Sequence, residues 1–312
     1  MKEVTAYYDH HGSDNDKLMA HYLLGCVYRD MGDAPSAINC FNDATEYAGK
    51  DKNSYLMLCC IHGQIADLLS GQTLVKENLR ELGLAAHYAW LAGDTIDAIT
   101  AYNQKAFAYE VIGKTELAAK IHSTAMQMFT KWGYKQQAAG ISADCMDYLL
   151  QRHEFAKAKK LFDLYERESG YFSHGQVARG KEVYYYIKGK YYLAVNQYDS
   201  AQYLFRKCMD YMDDPNTKVA AYHGLSMLYN KMQIPDSTAK YAMLAYDAND
   251  SSFQYNTAAT LMRIQSLYNY SKHQADALQS AQKTASLQRW LLGLTFTVIL
   301  LVLISYYIYT RR

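Results

Sequence analysis

Residues 23–44 read LLGCVYRDMGDAPSAINCFNDA, and residues 188–208 read KGKYYLAVNQYDSAQYLFRKC. Gly25, Tyr28, Gly32, Ala37, Phe41 and Ala44 stand at relative positions 0, 3, 7, 12, 16 and 19, and Gly189, Tyr192, Asn196, Ala201, Phe205 and Cys208 repeat them. A third copy runs through Ala106, Tyr109, Gly113, Ala118, His122 and Ala125, and a looser fourth through Met146, Leu149, His153, Ala158, Phe162 and Tyr165. The register recurs once more at Ser226, Tyr229, Gln233, Thr238, Ala242 and Ala245. Spacings of three and four place residues on one face of a helix. Each copy is therefore expected to be a helical hairpin, with a small residue and an aromatic on the first helix meeting a small–aromatic–small face on the second. A Gly, Asn or Gln lets the chain reverse between them. Such a hairpin cannot bury its own face, so copies must stack.

This pattern resembles the tetratricopeptide repeat (TPR), which places Gly or Ala, Tyr, Gly, Ala, Phe or Tyr, and Ala at the same spacings. The resemblance runs from about Leu18 to Tyr246. It implies an all-α chain with a TPR-like solenoid of about six helical hairpins over 18–250, the hairpin over Asn53 to Ala92 resting mainly on spacing. The family repeats every ~34 residues. Here Ala118 to Ala158 is 40, Ala158 to Ala201 is 43 and Ala201 to Thr238 is 37. Longer helices or linkers should accommodate the excess. Pro35, Pro215 and Pro235 fall at turns or first helical turns, where a missing amide donor costs little. Gly71, Gly93, Gly133 and Gly170 punctuate further helix ends. The stretch VTAYYDHHGSDND reads as a helix end and a turn, so 1–17 is expected to be the end of a truncated preceding repeat.

The chain ends WLLGLTFTVILLVLISYYIYTRR. Trp290 to Tyr309 is twenty residues without a charge. As a helix that length covers the ~30 Å of bilayer hydrocarbon. Twelve of the twenty are Leu, Ile, Val or Phe; their insertion gains about 4 to 7 kcal/mol before the polar positions are discounted. Trp290 and Tyr306, Tyr307 and Tyr309 sit where interfacial aromatics belong. A transmembrane helix is expected over 290–309, followed by a short basic tail, 310–312. Between Pro235 and Gly293 there is no Pro or Gly, so 251–289 reads as a long juxtamembrane helix. A weak heptad through Ile264, Tyr268, Ser271, Ala275, Leu278 and Ala285 suggests homodimer pairing or packing against the array. Arg311 and Arg312 nearly balance Lys272, Lys283 and Arg289, so charge does not decide orientation.

The balance of 32 Lys plus Arg against 31 Asp plus Glu, with no basic block, argues against nucleic-acid binding by this part of the chain. Six cysteines show no CxxC spacing and no partner histidine pattern, so neither zinc nor redox chemistry is supported. Buried free thiols are expected, which leans toward a reducing compartment. Gly113-Lys114-Thr115 resembles the end of a phosphate loop, but Ala108 stands where that motif needs Gly. His10 and His11 read as a solvated turn. His62, His87, His122, His174 and His223 occupy scattered repeat positions. No catalytic, cofactor-binding or metal-ligating set is found, and the chain reads as a non-enzyme.

Stacked hairpins present a concave wall suited to a protein or peptide partner. Here it is expected to carry Tyr22, Arg29, Asn103, Phe107, Glu110, Asp147, Tyr186, Lys190, His223 and Asn230. Family members that clamp a terminal carboxylate use Lys and Asn at the fifth and ninth repeat positions. The first copy has Tyr22 and Cys26 there, so that activity is not implied. The whole is similar to bacterial inner-membrane proteins in which an external repeat array precedes one span. That resemblance implies a membrane-anchored scaffold or receptor-like sensor, with a periplasmic array and a bilayer contact through Trp290 to Tyr309. A tail-anchored cytosolic adaptor and a fragment of a membrane-bound transcriptional regulator remain alternatives.

Overall fold

The computed structural model describes residues 1–70, 74–211, 215–250, 283, 284, 286, 288–290, 293 and 295. The elements run α1 (Lys2–His11), α2 (Asp14–Asp30), α3 (Ala34–Glu46), α4 (Lys52–Leu69), α5 (Val75–Ala92), α6 (Thr95–Val111), α7 (Thr115–Lys131), α8 (Lys135–Gln151) and α9 (Phe155–Glu168). A hairpin of β1 (Phe172–Ser173) and β2 (Gln176–Val177) follows, then α10 (Val183–Ala194), α11 (Tyr198–Cys208) and α12 (Pro215–Lys231). A last helix, α13, covers 235–250. Consecutive helices pack on one another throughout. This is the stacked-hairpin arrangement of an α-solenoid.

The turns explain why the chain reverses where it does. Gly32, Gly93, Gly113, Gly133, His153, Asn196 and Gln233 all have φ between 58° and 82°. At each, the next residue's N–H reaches back to the carbonyl five residues earlier: Asp33 to Tyr28, Lys114 to Tyr109, Glu154 to Leu149, Gln197 to Tyr192. This is the Schellman closure of a helix C-terminus, which needs one residue in the left-handed region. Glycine adopts it without strain. Position 7 of the sequence pattern is thus a backbone requirement. From Gly93 to His153 these turns recur every twenty residues. Helices of seventeen residues with three-residue turns therefore account for the 40-residue repeat.

Helix starts follow the same local logic. Asp33 and Asp94 accept from the N–H groups of Ser36 and Asp97, and Asp51 accepts from Asn53 and Ser54. Each such cap contributes about 1 kcal/mol. Ser13 and Asp16 form a reciprocal capping box that starts α2 at Asp14, one turn ahead of the predicted Leu18.

Packing shows why positions 0 and 16 are a small residue and an aromatic. A Cβ added to Gly25 would stand 2.6 Å from the Phe41 ring, and one added to Gly189 would stand 2.5 Å from Phe205. A Cβ added to Gly224 of α12 would also collide with the Phe205 ring. Ala37, Phe41, Ala44, Ala201, Phe205 and Cys208 are all fully buried. The last copy departs from this, because Ala242 of α13 is exposed. The core is segmented along the chain: one cluster joins Ile38, Phe41, Ile61 and Ile65, another Ile99, Phe129 and Ala138, a third Met146, Phe162, Tyr165 and Tyr184, and a fourth Leu193, Phe205, Leu225 and Leu228.

The expectation of helix alone fails between α9 and α10. The 43-residue interval holds a β-hairpin, Phe172 paired with Val177 and Ser173 with Gln176, turned at the left-handed His174 and Gly175 and flanked by the left-handed Gly170 and Gly180. The buried Val177 N–H donates to the Tyr185 hydroxyl at 2.9 Å, and Lys207 Nζ donates to the Gly175 carbonyl at 2.8 Å. The insertion is tied to α10 and α11.

Gly71, nearly all of the long juxtamembrane helix and nearly all of the expected span lie outside the described residues. Of Trp290 to Tyr309, only Trp290, Gly293 and Thr295 are described, each helical. Among the described residues no helix is long and apolar enough to cross a membrane.

Candidate functional site

The even-numbered helices are the first of each hairpin, and the last three of them pack in a row, α8 on α10 and α10 on α12. All ten residues expected to line the groove lie on these helices, but many of them are engaged with each other. The Arg29 guanidinium donates to Gln64 of α4 and pairs with Asp30 at 2.8 Å. Lys190 of α10 forms an ion pair with Asp147 of α8. Tyr186 and His223 join α10 to α12 through a 2.8 Å hydrogen bond between the hydroxyl and Nδ1. Tyr22 is half-buried, with its ring centroid 5.7 Å from that of Phe41. Asn230 is exposed on the last turn of α12.

Asn103 corrects the expectation. It is not a groove residue but lies 8% exposed beneath the wall, bonded to His122. Helical spacing assigns a residue to a face without giving its depth. His122 stands at position 16 of its repeat, where three other copies place Phe41, Phe162 and Phe205. It is 1% exposed. A polar ring at a core position requires polar partners. His122 Nδ1 is 2.9 Å from Asn103 Oδ1 and 3.7 Å from an Asp144 carboxylate oxygen, while Nε2 is 3.5 Å from Glu110 Oε1. Phe107 packs edge-to-face on the same imidazole, centroids 5.4 Å apart.

Above this network a cleft of about 530 Å³ opens between α6, α8, α10 and the hairpin insertion. Phe107, Glu110, Asp144, Asp147, Tyr148, Tyr165, Tyr171, Lys181 and Ile187 line it. Tyr171 comes from the insertion and lies across Gly140, where a Cβ would meet its ring at 3.2 Å. Lys181 Nζ sits 5.1 Å above the Tyr171 ring. Burial raises the Asp144 carboxyl above its usual value, against the opposing pull of His122, a hydrogen bond from Asn103 and Lys181. The neighbouring Cys145 thiol is pushed up to about 12 by burial, with Asp144 and Glu110 adding to the effect. Burial likewise lifts the Tyr186 phenol to about 12. The cleft is therefore aromatic-walled and negatively biased.

Three expected groove residues, Phe107, Glu110 and Asp147, meet in this cleft. Asp144, Tyr171 and Lys181 were not expected there. A His in place of the repeat's aromatic knob is the sequence signal that marks the network. The insertion residues carry no comparable signal, because they fall outside the repeat register. Among the described residues no group of three or more His, Cys, Asp or Glu side chains is placed to hold a metal ion.

A predominantly helical array of stacked hairpins with an acidic, aromatic cleft between α6, α8 and α10 is the class that fold and site define. No known family profile matches the chain, and no curated protein does. Among solved structures it is similar to the crystal structure of BtubC (BKLC) from P. vanneervenii, at 13% identity and a TM-score of 0.40, covering 79% of this chain and 85% of that one. An overlap that loose transfers neither fold detail nor function.

Proposed function

We propose that this protein is a non-enzymatic interaction module, a TPR-like scaffold or receptor-like sensor that grips a protein segment on its inner wall and is held in a bacterial membrane through 290–309. The α6–α8–α10 cleft is the observation that carries the reading. It combines aromatic contact area with charged groups on a wall that inter-helix links hold in place, and pre-organisation of that kind lowers the cost of binding. The test is in vivo photo-crosslinking with a benzophenone amino acid in place of Phe107, which is 47% exposed in the cleft, and in place of Tyr203, 62% exposed on α11. Discrete adducts from position 107 and none from 203 are expected. Equal labelling from both positions, or none from 107, overturns the reading.

One observation favours the cytosolic adaptor. All six cysteines are free, four of them buried, which suits a reducing compartment. An alkaline phosphatase fusion after Ala248 separates the two: activity supports an external array, and its absence, with activity after Arg312, supports the adaptor.

A further inference from the structure

We propose that the α6–α8–α10 cleft receives the side chain of an arginine or lysine from the bound segment; the inference rests on the groove reading above and names what the groove selects.

Three carboxylates line the cleft, and they differ in how they are matched. Asp147 is paired with Lys190 across the wall. Asp144 and Glu110 form no ion pair with a lysine or arginine among the described residues; Lys181, whose ammonium lies over Tyr171, shares the cleft with them, and the His122 ring lies 3.7 and 3.5 Å from them. The independent observation lies beneath. The Asn103 amide oxygen faces His122 Nδ1 at 2.9 Å, and an Asp144 carboxylate oxygen lies 3.7 Å from the same nitrogen. The amide oxygen can only accept, so Nδ1 carries the hydrogen and donates.

Nε2 of the same ring is buried and has no hydrogen-bond partner. Its nearest charged neighbour is Glu110 Oε1, 3.5 Å away. An unpartnered ring nitrogen beside an exposed carboxylate at the edge of a cleft marks a polar position that the described residues leave unfilled. Glu110 is 43% exposed, so a cationic donor entering from the groove meets its carboxylate first. A guanidinium is suited to spanning Glu110 and Asp144, because its planar fork offers several N–H groups to carboxylates at once.

The walls fit the same occupant. Arg152 and Lys181 of the chain itself already sit over Tyr148 and Tyr171 at 5.7 and 5.1 Å, so these ring faces accept cations in this setting. A terminal carboxylate brought to the cleft would instead meet uncompensated like charge.

The test is selection of random displayed peptides on the full-length chain, followed by affinity measurement of the enriched sequences as fluorescein-labelled synthetic peptides. Binding is measured to the parent, to Asp144→Asn and Glu110→Gln, and to Asp199→Asn on α11 as a control. Enriched peptides are expected to share an Arg or Lys. Replacing it by Gln, or using either cleft variant, is expected to weaken binding about tenfold or more, with the control unchanged. Glu110→Gln alters an exposed side chain and keeps the test readable should Asp144→Asn perturb folding. Peptides enriched without a basic residue, or indifferent to both cleft variants, overturn the cation site and leave the groove reading standing. No enrichment at all overturns both.

Discussion

At the residue scale, His122 is the position where pattern and chemistry part. The repeat register asks for an aromatic knob, and Phe41 and Phe205 supply it elsewhere with full burial. His122→Phe restores the pattern but leaves the buried Asn103 oxygen without its donor. That costs about 1–3 kcal/mol, so the variant should melt lower despite matching the repeat better, as a urea titration will show; a higher midpoint would mean the imidazole is only a spacer. Asp144 gives a second expectation with a pH signature. Burial raises its carboxyl above the unfolded-chain value, so the folded protein holds the proton to higher pH than the unfolded chain does. The penalty for the charge is therefore present above the folded pKa and disappears as pH falls through it. Asp144→Asn should be more stable than the parent at neutral pH, with the difference closing by about pH 4, near the ordinary Asp value. A gap that persists or widens on acidification in melts across that range would rule this out. Of this site the sequence placed His122 in the repeat register but gave neither its polar role in the core nor the depth of its partner. Asn103 and Phe107 lie one turn apart on α6, yet one is 8% and the other 47% exposed. Helical periodicity cannot tell them apart.

At the element scale, the reversals were legible and the insertion was not, and the difference is physical. A left-handed turn residue is demanded of only a few residue types, so Gly32, Gly113 and Asn196 stand out at a fixed distance from their flanking aromatics. Gly113→Ala should accordingly cost about 1 kcal/mol. At His153, a non-glycine already at φ 58°, glycine should be neutral to stabilising by up to about 1 kcal/mol, and parallel urea titrations of the two variants check the opposite signs. The β-hairpin has strands of only two residues each, too short for alternation to register. Its placement depends instead on long-range ties that no local window contains. The most telling is the Tyr185 hydroxyl that accepts from Val177 N–H in a buried setting. Tyr185→Phe keeps the ring and removes the acceptor, stranding that donor at a cost of about 1–3 kcal/mol. Hydrogen exchange should quicken selectively in 170–180; exchange that stays at parental rates there would show that Tyr185 does not hold the hairpin.

At the scale of the whole molecule, segmentation of the core governs how the chain responds to damage. The cluster around Phe41 reaches Ile61, Ile65 and Leu69 of α4, while Phe205 belongs to a separate cluster with Leu193, Leu225 and Leu228. In a stacked array each unit gains stability from its neighbours alone, so a loss at one end should decay along the chain instead of spreading through it. Removing the fully buried Phe41 ring with Phe41→Ala costs about 3–5 kcal/mol where it acts. Amides of α2, α3 and α4 should then exchange faster by roughly two to three orders of magnitude, as each 1.4 kcal/mol is tenfold. Those of α10, α11 and α12 should keep their parental rates, because only intervening hairpins connect them to the lesion. Such decoupling would let the inner wall between α6 and α10 stay formed while an end frays, keeping the cleft's Glu110–Asp144 spacing intact. A uniform rise in exchange over all helices would instead show that the array unfolds as one cooperative body, and the link drawn here between a segmented core and a locally held cleft would fall with it.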